Sequence, residues 1–213
     1  MKTLEIIARV AAKIAPGRLP SFAEAHVVMA LEDISNVKTV GRLKLSKDLQ
    51  LGEGETRTLV RHLKKEGLVE VSRSGISLSI AGRKLLSSLR AILSEQVEVP
   101  FSPLTVGRFN VAVQVKGMKK SVRNGLEQRD AAITAGAKGA TTLVFTKNRL
   151  AMAGAVEALS ETSSSVVAVL SKLSLKEGDV IVIGSADERF KAELGVKTAA
   201  LELLKTKEGT DLN

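Results

Sequence analysis

The chain has 213 residues and a mass of 22.6 kDa, which suits two domains of about 100 residues each. It contains no Cys, no Trp and no Tyr, only two His and five Phe, so disulfide scaffolds, histidine-built zinc sites and aromatic platforms for stacking unpaired bases are all excluded. What remains is a formal charge of +9 and a pI near 9.9, which points to a polyanionic partner.

The N-terminal stretch Met1 to Ala15 is apolar but interrupted by Glu5, Arg9 and Lys13, so neither a secretory core nor a membrane span fits. It reads as an amphipathic helix with Leu4, Ile7, Val10, Ala11 and Ile14 on one stripe, stopped by Pro16-Gly17. Such a stripe packs on its own domain or on a second subunit. No membrane partner is expected. The absence of cysteine suits a reducing cytosol, and a cytoplasmic location is expected.

Charge is concentrated between residues 38 and 90, where twelve Lys or Arg face five Asp or Glu, a net +7. The pattern predicts helices over 22–34, 40–49 and 53–66, the last stopped by Gly67 as a left-handed cap. Next comes a hairpin, with Leu68 to Val71 and Ile76 to Ile80 joined through Ser72-Arg73-Ser74-Gly75. A closing helix runs from Ala81 to Leu93. Three helices, a two-stranded wing and a further helix is the winged helix-turn-helix order. Thr58-Leu-Val-Arg-His-Leu-Lys-Lys-Glu-Gly-Leu-Val, then a hairpin, then Ile80-Ala-Gly-Arg-Lys-Leu-Leu resembles prokaryotic winged-helix transcriptional regulators over most of residues 21 to 94.

The third helix carries the functional reading. With Leu59 at zero, Leu63 falls at about 40°, Thr56 at about 60° and Val60 at about 100°, which defines the buried arc. Arg57 at about 160°, Arg61 at about 200°, Lys64 at about 140° and Lys65 at about 240° share the opposite face. A helix in the major groove needs that division, with Arg57, Thr58 and Arg61 toward base edges and Lys64, Lys65 and the wing residue Arg73 toward phosphate. The alternative is an ordinary solvated face. Glu53 and Glu55 suit the helix start but would repel a phosphate backbone. His62, at the edge of the core arc, reads as a packed histidine.

Val97-Glu98-Val99-Pro100-Phe101-Ser102-Pro103 holds two of the four prolines and reads as a linker. The expected domains are an N-terminal extension over 1–18, the winged helix over 19–96, a linker over 97–106 and a C-terminal domain over 107–213. In the last, strands are expected at Phe109 to Val115, Ala140 to Thr146, Arg149 to Ala153, Val166 to Leu170 and Val180 to Ile183. A helix is expected over Lys119 to Ala135. A second helix starts near Ala186 through a capping box of Ser185 and Glu188 and is interrupted at Gly195. This describes an α+β fold, a small sandwich with a mixed sheet. Gly136-x-x-Gly139 joins a helix to a strand and reads as a turn with a glycine cap, the backbone-gripping loop of KH domains being the alternative. Ser160 to Ser165 reads as a surface loop. No phosphate-binding loop, dinucleotide fingerprint or nucleophile elbow occurs, so no enzyme and no cofactor is expected.

Glu127-Gln-Arg-Asp-Ala-Ala-Ile133 followed by Gly136-Ala-Lys-Gly-Ala-Thr-Thr-Leu143 resembles a family of archaeal two-domain proteins of unassigned function, with an N-terminal winged helix and a C-terminal domain similar to the GAD domain of some aspartyl-tRNA synthetases. The resemblance implies the fold and an archaeal source, and no activity. Two functions follow as expectations. One is a transcriptional regulator on double-stranded DNA, a homodimer whose C-terminal domain binds an unidentified small effector or dimerises. The other is an RNA- or ribosome-associated binding protein. One further position stands out. With Val122 at zero on the expected helix, Leu126, Ile133 and Arg129 all fall within about 40° of it, so Arg129 is expected to be partly buried and held, with Asp130 beside it, in a structural or anion-binding site.

Overall fold

A computed structural model describes residues 2–12, 21–155, 159 and 164–210 of the chain. It divides into two compact units, Met1–Ala91 and Ile92–Asn213.

The first unit is a winged helix-turn-helix. Helix α1 (Lys2–Ala11) turns Leu4, Ile7 and Val10 inward against α2 (Glu24–Val37), α4 (Glu53–Lys65) and α5 (Ile80–Arg90), so its apolar stripe is used within its own unit. Residues 13–15 of the expected helix and the Pro16-Gly17 stop lie outside the described residues. Between α3 (Arg42–Asp48) and α4 the chain reverses through Leu49, Gln50, Leu51 and Gly52. Leu49 and Leu51 are buried, and the Ser46 hydroxyl donates to the Leu51 carbonyl at 2.6 Å. Strands β1 (Val69–Ser72) and β2 (Gly75–Leu78) form the wing. Val40 bridges to Ile76 as a third, one-residue strand, which ties the start of the helix-turn-helix to the wing. Gly75 is required there, since its φ is 130° and a Cβ would lie 2.7 Å from the Val40 carbonyl oxygen.

The second unit is a five-stranded sheet in the order β3-β4-β7-β5-β6, formed by β3 (Val97–Glu98), β4 (Phe109–Val115), β5 (Gly139–Thr146), β6 (Arg149–Met152) and β7 (Val180–Ala186). All seven residues of β7 are buried, as a central strand covered on both faces must be. Helix α7 (Ser164–Leu170) packs Val166 and Leu170 with Ile181 and Ile183 on one face. On the other face lies α8 (Arg189–Thr210), so close that a Cβ on Gly184 would meet Val196 at 2.8 Å. Helix α6 (Leu126–Thr134) packs beside α8 and on β5.

Several expectations are corrected here. Every pairing in the sheet is antiparallel rather than mixed, because Val166–Leu170, expected as a strand, is helical. Its β-branched residues favour a strand locally, but a strand would bury Ala168 together with Val166 and Leu170, and Ala168 is exposed, as the helical period places it. The segment 97–106 is more than a linker: Val97 and Glu98 pair with Ala112 and Val111, while Val99 and Leu104 enter the core. Lys119–Ser121 form only a 3-10 turn, and α6 begins afresh after Gly125 at φ 78°. Ser185 belongs to β7, so it caps nothing, and α8 runs unbroken through Gly195. Gly136, at φ 95°, is the cap of the αβ turn. Of Ser160 to Ser165, positions 160–163 lie outside the described residues, and Ser164 and Ser165 open α7.

Candidate nucleic-acid interface

Helix α4 divides its residues as the wheel requires. Thr56, Leu59, Val60, His62 and Leu63 are buried, whereas Arg57, Arg61, Lys64 and Lys65 are exposed. Among the described residues none of these four cations, nor Arg73, takes part in an ion pair or side-chain hydrogen bond, so all five guanidinium or ammonium groups are available to a partner. Two nearby surface cations are instead neutralised: Lys44 pairs with Asp48 at 2.9 Å and Arg9 with Glu66 at 2.8 Å. Thr58 is half-buried and its hydroxyl donates to the Gly54 carbonyl at 3.0 Å, which leaves its methyl group and acceptor lone pairs for contact.

The helix start is less hostile to phosphate than its two glutamates suggest. Glu55 turns back, and its carboxylate accepts the Gly52 N–H at 2.9 Å, leaving Glu53 as the exposed acid of the first turn. Arg73 stands at the exposed tip of the wing, in the two-residue turn between Ser72 and Gly75, whose own hydroxyls close it: Ser72 and Ser74 Oγ are 2.7 Å apart. Arg42 and Lys47, exposed on α3 and without partners among the described residues, add two cations to the motif. The sequence reading passed over them. Their signal was the position of α3, the helix that crosses the backbone in such motifs.

Behind the cationic face α4 is braced. The buried His62 donates from Nδ1 to the Val10 carbonyl of α1 at 2.8 Å and meets Phe22 edge to face at 5.7 Å, the packed histidine expected. Glu66, at the helix end, is held below the usual carboxylate range by its hydrogen bond from Arg9. His26, on α2, accepts the Ala23 N–H at Nδ1, and burial lowers its pKa from 6.5, with the Glu55 carboxylate opposing.

Arg129 and Asp130 belong to the second unit and are not buried. They pair with each other at 3.0 Å on the surface, with 49% and 64% of their side chains exposed. The expected phase rested on a helix from Lys119. Because α6 restarts at Leu126, the face turned inward carries Gln128 and Ala132, while Leu126, Arg129 and Ile133 face solvent.

The fold and its cationic helix define a winged helix-turn-helix protein joined to an α+β domain. Residues 28–93 match the family model described as the CggR N-terminal DNA binding domain, and residues 106–203 match the domain of unknown function DUF4443. The solved structure of the hypothetical protein PH0730 from Pyrococcus horikoshii OT3 is similar at a TM-score of 0.68 and 23% identity, covering 87% of this chain and 100% of that one. No curated protein matches significantly.

Proposed function

We propose that the protein is a DNA-binding transcriptional regulator that lays α4 in the major groove of duplex DNA. The observation that carries this reading is the exposed row of Arg57, Arg61, Lys64 and Lys65, free of ion pairs among the described residues, opposite the buried face of Thr56, Leu59, Val60, His62 and Leu63. Arg57 in the first half of the helix and Arg61 one turn on reach base edges, where a bidentate guanidinium reads guanine, and the lysines a further turn on meet phosphate as point charges. The name of the family model over 28–93 supports the same reading. The C-terminal unit serves as the effector-binding or dimerisation module, and a second copy places two α4 helices on two half-sites about one helical turn apart. No catalytic step belongs to this role.

The test is to recover nucleic acid bound to the native protein, sequence it, and titrate the protein with the enriched duplex across a salt series. Enrichment of a duplex motif with two half-sites, and log affinity falling linearly with log salt, is the expected result. Recovery of tRNA or ribosomal RNA alone would overturn it.

A further inference from the structure

The second unit contains a cavity of about 700 Å3 between the β5–β6 hairpin and α7 with the turn that follows it, within the roughly 300–1,000 Å3 range of small-molecule sites. Its apolar wall includes Phe145, Leu150, Val167 and Leu173, and Leu150 belongs to the core cluster, so this wall is backed by packed structure. Its polar wall includes Asn148 and Arg149 and, among the described residues, no carboxylate. Among the described residues Arg149 has no ion pair or side-chain hydrogen-bond partner.

The rim is held in an uncommon geometry. Thr146 and Arg149 pair across a two-residue turn in which Lys147 and Asn148 both have positive φ, 50° and 59°. This is the type I′ hairpin; asparagine adopts it readily and lysine at a cost. Glu177 holds it closed, accepting the Lys147 N–H at 2.8 Å and the Thr146 hydroxyl at 2.7 Å. The backbone that carries Asn148 and Arg149 is thereby held beside the apolar wall, so both polar side chains are anchored where they line the cavity.

We propose that this cavity binds an amphipathic monocarboxylate, its carboxylate on Arg149 and Asn148 and its hydrocarbon body against Phe145, Leu150, Val167 and Leu173. The proposal deepens the effector role given above to this unit and rests on that reading only for its regulatory consequence. Calorimetric titration of the full chain, without nucleic acid, with octanoate, butyrate, octanol and octylammonium tests it. Octanoate should bind saturably at one site per chain, and the other three at least tenfold more weakly. Arg149→Gln should weaken octanoate at least tenfold, and Val167→Trp, which puts an indole against the apolar wall, should weaken it by a similar factor. Circular dichroism checks that the variants fold; should Val167→Trp fail, the exposed Arg149→Gln carries the test. No saturable octanoate binding, equal binding of octanol, or octanoate binding untouched by Arg149→Gln would overturn the site. A chain that takes octanoate but no DNA overturns the regulator reading alone.

Discussion

Arg57, Arg61, Lys64 and Lys65 share one exposed helix face yet must do two different things. Under the groove-reading account, Arg57→Ala or Arg61→Ala costs roughly 1–3 kcal/mol of specific affinity and relaxes base preference. Lys64→Ala or Lys65→Ala instead weakens all sequences alike and lowers the log-affinity against log-salt slope by about one, measured by titration on specific and scrambled duplexes. The histidines make a separate prediction. Burial lowers the pKa of His26, so the folded state prefers the neutral ring while the unfolded chain takes up a proton near the ordinary value of 6.5. Its stabilising contribution is therefore full above about pH 6.5 and is lost as pH falls below it, levelling off once the folded ring is protonated too. His26→Gln keeps an N3 group able to accept the Ala23 N–H and removes the titration. Urea midpoints at pH 7.5 and 5.5 should differ less in the variant than in the parent; an equal difference would exclude His26 as a source of the slope.

At the scale of elements, α1 and α8 make the clearest demands. Ile7 is fully buried in the first unit, so Ile7→Ala should cost about 2–5 kcal/mol by chemical denaturation. An unchanged midpoint would mean that α1 is a detachable arm. Gly195 sits where α8 meets the end of α6, and a Cβ there would lie 2.5 Å from the Ala137 Cβ. Gly195→Ala should therefore destabilise by about 1–3 kcal/mol through overpacking, despite alanine's better helix propensity, and a raised melting temperature would contradict the close packing. The same elements show what a sequence can and cannot carry. The order of the winged helix, the face of α4 and β4 could all be read directly, because amphipathic period and turn glycines are local signals. Helix α7, β3 and the restart of α6 could not. Val166–Leu170 has strand-like composition, Val97–Glu98 is a strand only because β4 lies beside it, and α6 restarts at Gly125, whose φ of 78° and close approach to Thr142 leave no room for a Cβ. The cavity behind Arg149 was likewise hidden, since its walls come from residues 145 to 175 brought together by the sheet.

Taken whole, the molecule carries +9, and net charge alone would draw it weakly to any polyanion. The central claim is narrower: binding depends on one helix face. The double variant Arg57→Glu, Arg61→Glu cancels the net charge of that face while leaving Leu59 and Leu63, both fully buried, in place, and changes the formal charge by four, from +9 to +5. The decisive measurement is its affinity for the enriched duplex at physiological salt, beside a control of equal charge, Lys116→Glu with Lys172→Glu, which alters exposed residues of the second unit. The account predicts that both variants fold, that the control keeps most of its sequence-specific affinity, and that the α4 variant falls to the level of scrambled DNA or below. An α4 variant that remains folded and binds the enriched duplex as tightly as the parent would contradict it.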